Sequence, residues 1–234
     1  MLMDSRILEL GSKLTYCPYR EECPGIRAGL VKNDPEAGVF PRGFLVTPLD
    51  ARPEDIRLVV LGQNPGAWDE EHRTTMLKLT EGKSSSEAYE AINGFFIPKL
   101  PTYPYNKLLN RMIEALFGSK MTCARLEAEV VCCETSASSK HPGDDTLNYC
   151  AKKHLKNQLA LLTPDVYVMC VGAPARDWFA KSKFKKQYRW FSVPHPSAYG
   201  VFWKVLDKDT DRLKPEAQVL WNEFLTGKNG VRLG

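Results

Sequence analysis

The chain has 234 residues, 43% of them hydrophobic and 26% charged, with a formal net charge of +4. A chain of this size can bury one substantial core, and so mild a charge does not mark a nucleic-acid surface by itself. No stretch approaches the roughly 18 consecutive apolar residues of a membrane span, and Met1-Leu2-Met3-Asp4-Ser5-Arg6 opens no apolar signal core; the expected setting is cytoplasmic, or nuclear in a cell with a nucleus, with no membrane partner.

The pattern predicts a single domain over 1–234, of which residues 1–55 form an N-terminal wrap, in a monomer. A short helix is expected from Ile7 to Leu14. It delivers the chain to Tyr16-Cys17-Pro18-Tyr19-Arg20-Glu21-Glu22-Cys23-Pro24-Gly25, where two cysteines, each followed by proline, look like ligands on a rigid loop. Residues 24–55 are rich in Gly and Pro, with Gly43 to Thr47 their one strand candidate. Leu58 to Leu61 are apolar without alternation, as a parallel strand covered on both faces requires. That strand stops in Gly62-Gln63-Asn64-Pro65-Gly66. In open α/β sheets the chemistry sits beyond the carboxyl ends of the strands, where Gln63 and Asn64 would project. Gly62 and Gly66 allow the backbone close to a ligand, and Pro65 stiffens the turn.

Asp69 to Gly94 is expected to be mostly helical, with Ser84-Ser85-Ser86-Glu87 capping a helix that Asn93-Gly94 ends. Phe95, Phe96, Tyr103 and Tyr105 crowd a proline-rich segment too broken for a helix. Helices follow over about Asn106 to Phe117, Thr146 to Leu162, Pro174 to Lys181 and Pro215 to Leu225, the last burying Val219, Leu220 and Phe224. Further strands are predicted at Glu129 to Cys133, Asp165 to Val171 and Trp190 to Val193. Strands alternating with helices make this an α/β chain: a three-layer αβα domain on a central, mostly parallel four-stranded sheet.

The last strand ends in Pro194-His195-Pro196-Ser197, where two prolines restrain the backbone of a histidine as a catalytic group requires. Lys181, Lys183, Lys185, Lys186 and Arg189 precede that strand, with Phe184 and Tyr188 among them. They read either as a solvated helix end or as a patch facing phosphates. Seven cysteines in such a chain argue against a disulfide framework. Cys123 and Cys170 read as core residues; Cys17 with Cys23, and Cys132 or Cys133 with Cys150, form two clusters.

Gly62-Gln63-Asn64-Pro65-Gly66 and His195-Pro196-Ser197, in that order and each after a strand, resemble the two signature motifs of the uracil-DNA glycosylase superfamily. The resemblance spans roughly Leu58 to Ser197. It implies hydrolysis of the N-glycosidic bond of a deaminated base flipped out of DNA, uracil foremost and hypoxanthine or xanthine next. It makes Asn64 the holder of the attacking water and His195 the donor to the anion that develops on the base. Gln63, Pro65, Gly66, Ser197 and an aromatic, Tyr105 or Phe96, would form the base pocket. Tyr199 would fill the vacated stack, and Lys183, Lys185 and Lys186 would meet the DNA backbone. The chain is similar to the iron-sulfur branch of the superfamily, which implies a 4Fe-4S cluster on Cys17, Cys23, Cys133 (or Cys132) and Cys150, with zinc as the alternative. Two features depart from that pattern. Cys17 and Cys23 are more widely spaced than the branch's CxxC pair, and no asparagine lies near Glu129 to Glu134 to read a pyrimidine edge. The competing readings are a nucleic-acid-binding module without catalysis and an enzyme of free nucleosides or nucleotides.

Overall fold

The computed structural model describes residues 3–67, 69–118, 124–136 and 141–234. Helix α1 (Ser5–Thr15), capped by the Asp4 carboxylate on the Arg6 N–H, is followed by the single turn α2 (Pro24–Arg27), then strands β1 (Val31–Lys32), β2 (Phe44–Thr47) and β3 (Ile56–Gly62). Helices α3 (Glu70–Thr80), α4 (Ser85–Phe96) and α5 (Pro104–Phe117) lead to β4 (Ala124–Glu129) and β5 (Glu134–Thr135). Helix α6 (Asp144–Cys150) runs through a π-helical stretch (Ala151–Leu155) into α7 (Lys156–Ala160), and β6 (Tyr167–Val171), α8 (Ala173–Lys181), β7 (Arg189–Val193), α9 (Tyr199–Val205), α10 (Pro215–Leu225) and β8 (Val231–Arg232) complete the chain.

Among the described residues the main sheet has six strands in the order β2-β4-β3-β6-β7-β8, all parallel except β2, which runs antiparallel to β4. The predicted class stands; the strand candidate Gly43 to Thr47 is the edge strand β2, and β8 at the other edge lies beyond the strands foreseen. Successive side chains of a strand point to opposite faces. Val59, Leu61, Val168 and Cys170 therefore pack with Leu147, Leu155, Leu159 and Phe179 on one side of the sheet. Leu58, Val60, Met169, Val171 and Phe191 meet Leu109, Met112, Phe202, Trp221 and Phe224 on the other.

Several boundaries depart from the expectations. The strand predicted at Glu129 to Cys133 lies earlier, because Ala124, Leu126 and Ala128 alternate with Arg125, Glu127 and Glu129 in a half-buried, period-two strand whose charges hide it. Val130 to Cys133 are buried yet form no strand; Val130 and Val131 donate their N–H groups to the Gly62 and Gln63 carbonyls. Helix α4 carries the predicted Ser84–Glu87 capping box, but it continues through Asn93-Gly94 to Phe96 because Asn93 is buried and its Nδ2 donates back to the Tyr89 carbonyl at 2.8 Å. Helix α10 buries Ala217, Trp221 and Phe224, spaced four and three apart, while Val219 is 59% exposed. Helix α9 and strand β8 were not foreseen. The predicted core position of Cys123 lies outside the described residues, whereas Cys170 is fully buried, as expected.

Phe191 on β7 is fully buried against Phe117, Trp221 and Phe224. Its replacement by alanine is expected to destabilise the fold by about 3–5 kcal/mol through lost burial and a residual cavity, measurable as a lowered denaturation midpoint at unchanged slope.

Candidate active site

In the sheet β3 and β7 flank β6, and Leu61 pairs with Cys170 while Val171 pairs with Val193, so the loops after β3 and β7 leave the same edge about 10 Å apart. Between and beside them opens a cavity of about 800 Å³, lined by Gln63, Asn64, Pro65 and Gly66 from one loop and His195 from the other. Phe96 and Tyr105, the two predicted aromatics, line it too.

The Asn64 amide is oriented by contacts that the sequence reading missed. Its Nδ2 donates to Thr135 Oγ1 at 2.6 Å and to the Pro65 carbonyl at 3.0 Å, which leaves the Oδ1 acceptor to receive a hydrogen bond from a ligand. Thr135 belongs to β5, which pairs with β1 of the N-terminal wrap. Nothing in the local pattern around Thr135 announces this role, because the contact joins residues far apart in the chain.

His195 opens onto the cavity and lies against Tyr105, ring centroids 5.2 Å apart. The Ser197 backbone N–H donates to its Nδ1 at 3.2 Å, and the Ser197 Oγ lies 2.6 Å from the same nitrogen. A backbone N–H can only donate, so Nδ1 is the acceptor and the ring proton sits on Nε2. The surrounding protein desolvates the imidazole and lowers its pKa below the usual value, which keeps the ring neutral at neutral pH. Gly172, at φ +82°, lets β6 turn beneath this ring; a side chain there would fall 3.2 Å from the His195 Cβ. Ser197 thus serves the site through His195.

Glu129, the last residue of β4, is a further missed residue. A Cβ on Gly62 would fall 2.2 Å from its Oε2, and one on Gly43 would fall 2.6 Å from its Cβ and Cγ. Gly62 therefore makes room for a carboxyl group, whereas a side chain on Gly66 would meet open space. Desolvation by burial pushes the Glu129 pKa up to about 8, with Arg42 opposing and Glu127 adding to the shift. Behind the loop, Glu134 is buried and accepts from Arg73 at 2.9 Å and Arg42 at 3.3 Å, while Arg42 also donates to the Gly66 carbonyl. The alternation of β4, had it been read as a strand, would have placed Glu129 at this edge.

The cysteine clusters converge. Cys17, Cys23, Cys132, Cys133 and Cys150 line one small cavity of about 20 Å³, together with His154 from the π-helical stretch, whose Nε2 lies 3.2 Å from the Cys17 Sγ. Burial raises the Cys17 thiol to about 11 and drives that of Cys133 up, while hydrogen bonding from Cys132 lowers Cys150. Among the described residues no three His, Cys, Asp or Glu side chains are grouped so as to hold one metal ion.

The exposed Tyr199 stands at the start of α9, two residues beyond Ser197. Lys183, Lys185 and Lys186 precede β7, whereas His195 follows it, so about 16 Å of strand separates them from the edge that carries the cavity. The structure does not bring them to the cavity, and the Lys185 Nζ donates to the Ala180 carbonyl.

A mostly parallel αβα sheet thus brings an amide with a free acceptor oxygen and a neutral imidazole with a free N–H to one cavity at the carboxyl edge of its strands. The family model of the uracil DNA glycosylase superfamily matches residues 49–224, and the chain belongs to that superfamily, whose members are glycosylase hydrolases. No curated protein matches the chain. Among the described residues no helix is long and apolar enough to cross a membrane.

The raised Glu129 pKa carries a sign. A carboxyl that ionises near 4.5 unfolded and near 8 folded contributes stability that is complete below the first value and lost as pH rises through the second. Glu129→Gln, which cannot ionise, is therefore expected to gain thermal stability relative to the parent protein as pH rises from about 5 to about 8.5. Thermal melts across that range read the difference, and a constant gap would remove Glu129 as the titrating group.

Proposed function

We propose that the protein is a monofunctional DNA glycosylase that hydrolyses the N-glycosidic bond of a flipped, deaminated base, uracil foremost and hypoxanthine or xanthine next. The observation that carries this reading is the pairing of the Asn64 Oδ1 acceptor with the neutral His195 Nε2–H donor across one cavity. A base inside the duplex is beyond reach of either group, so it must first enter the cavity. As the bond to the sugar breaks, negative charge grows on the base and positive charge on the sugar. The Nε2–H of His195 meets charge that exists only in the transition state, where stabilisation raises the rate most. Asn64 Oδ1 holds the attacking water by accepting a hydrogen bond from it, and an amide, being a poor base, leaves the leaving-group side to do most of the work.

Tyr105, packed on His195, and Phe96 supply apolar walls for the base, with Pro65 and Gly66 closing its loop side. Exposed Tyr199 is placed outside the cavity, as a residue that fills the gap in the stack needs to be. DNA containing the lesion is the partner. The binding-module reading keeps the fold but gives no task to an imidazole locked in one tautomer.

The convergence of five cysteines on one small cavity supports a thiolate metal site, for which a 4Fe-4S cluster is the assignment and zinc the alternative. Zinc needs four donors at about 2.0–2.3 Å from one centre. A 4Fe-4S cluster places one thiolate on each iron, and so accepts sulfurs standing further apart. Cys17, Cys23, Cys133 and Cys150 provide the four, with the Cys132 N–H donating to the Cys150 Sγ at 3.3 Å. The cavity they enclose, about 20 Å³, is smaller than such a cluster, so the thiols stand further apart when it is loaded. The cluster's role would be structural, tying that loop to α6 and to the segment after β4.

Two tests follow. Oligonucleotides carrying each lesion, single- and double-stranded, treated with alkali after incubation, should reveal abasic sites without prior strand cleavage. His195→Ala should slow base release on the order of 10² to 10³ with little loss of DNA affinity; DNA binding without release of any base would establish the binding module instead. Anaerobically purified protein should be brown and hold about four irons and four sulfides per chain, and stoichiometric zinc or metal-free protein would reject the cluster.

A further inference from the structure

Buried polar atoms are almost always paired within a protein, and those that are not call for a ligand or another explanation. Gln63 Nε2 and Glu129 Oε2 are both buried without a protein partner, and both residues line the main cavity. They come from neighbouring strands, since Gly62 pairs in register with Glu129 and Gln63 is the next residue. The two glycines that face Glu129, Gly62 on β3 and Gly43 just before β2, leave its side chain a path across the carboxyl edge of the sheet that any larger residue would block. Glu129 also lies close enough to Tyr105 to contribute, after desolvation, to the raised pKa of that phenol. The carboxyl is therefore on the cavity side, beside an aromatic wall.

We propose that Glu129 and Gln63 together read the N–H/C=O edge of the flipped base, the Glu129 carboxyl accepting the ring N–H and the Gln63 amide donating to the adjacent ring carbonyl. This rests on the glycosylase reading of the same cavity. The edge is the one deamination creates: uracil presents it at N3 and O4, hypoxanthine and xanthine at N1 and O6. Cytosine and adenine present a bare ring nitrogen and an amino group there. Against them the amide of Gln63 would face another donor, leaving buried polar groups unpaired, which is the strong form of discrimination. Burial and Glu127 favour the protonated carboxyl and Arg42 opposes them; in either state one oxygen remains an acceptor. A carboxyl thus takes the place of the asparagine that the sequence lacks, and the preference extends to purines that share the edge.

The test uses the full chain and duplexes carrying 2′-fluoro-2′-deoxyuridine, whose glycosidic bond resists cleavage, so that binding is measured apart from chemistry. Fluorescence anisotropy should show tighter binding to this duplex than to its undamaged counterpart or to one bearing the N3-methylated analogue. Glu129→Leu and Gln63→Leu should each reduce that preference by roughly tenfold or more, with affinity for undamaged DNA unchanged. Glu129→Gln, which keeps an acceptor oxygen, should restore it to within about threefold. Equal binding of the N3-methylated and unmethylated duplexes, a preference retained in Glu129→Leu, or a preference lost equally in Glu129→Gln would each overturn the assignment. Base release by the parent protein with the preference intact in Glu129→Leu sinks this inference alone. A preference that depends on Glu129 without release of any base sinks the catalytic reading and keeps the reader.

Discussion

The buried carboxylate of Glu134 is the contact on which the geometry of the site depends. A fully buried charge is tolerated only when it is paired and hydrogen-bonded, and Glu134 is held by Arg42 and Arg73 together. Each arginine comes from a different part of the chain: Arg42 from the N-terminal wrap, Arg73 from α3. Arg42 extends the network to the Gly66 carbonyl and so fixes the far end of the loop that carries Asn64. The neighbours of Glu134 complete the arrangement, since Thr135 holds the Asn64 amide and Cys133 faces the thiol cavity. Removal of the Glu134 carboxylate would leave the two guanidinium groups facing each other without the charge they share, so the network depends on that residue above the others. In this way the wrap, the cysteine cavity and the loop that carries Asn64 are parts of one construction.

The sheet supplies the other half of the geometry. Parallel strands send their carboxyl ends to one edge, so a loop after β3 and a loop after β7 face each other with only β6 between them. The same rule places Lys183, Lys185 and Lys186, which lie before β7, at the opposite edge. Their proximity to His195 in sequence is the length of a strand in space.

The central strands were legible because Leu58 to Leu61 and Tyr167 to Val171 are buried on both faces and so carry an unbroken apolar signal. The loops were legible because proline and glycine leave local marks whatever the tertiary context, which is why Asn64 and His195 stand where the motifs put them. Strand β4 was misplaced because it lies at the junction with β2, where its alternate positions are charged, while the apolar Val130 to Cys133 run that looked like a strand is buried by packing under the loop. Thr135, Arg42, Glu129 and His154 escaped notice for a common reason. Their importance lies in contacts between distant segments, 71 residues apart for Thr135 with Asn64 and 137 for Cys17 with His154, which no local pattern encodes; for Glu129 alone the alternation of β4 carried a signal.

The groups that face the proposed base site are dipoles more than charges. His195 is neutral with its proton on Nε2, Asn64 and Gln63 are amides, and Glu129 is shifted toward its protonated form. A charge acts at a distance and tolerates a small displacement, whereas a dipole depends on its angle as well as its separation. A site built from dipoles therefore relies more on the contacts that orient them: Ser197 on His195, Thr135 on Asn64, the open seat at Gly62 beside Glu129. Such groups cost less to bury than ions and do not have to be neutralised when no substrate is present. They favour a transition state by being already aligned with the charge that develops there. The tightly held surroundings of Asn64 and His195 fit that requirement: in the proposed reaction, the orientation those contacts preserve is what aligns the two dipoles with the developing charge.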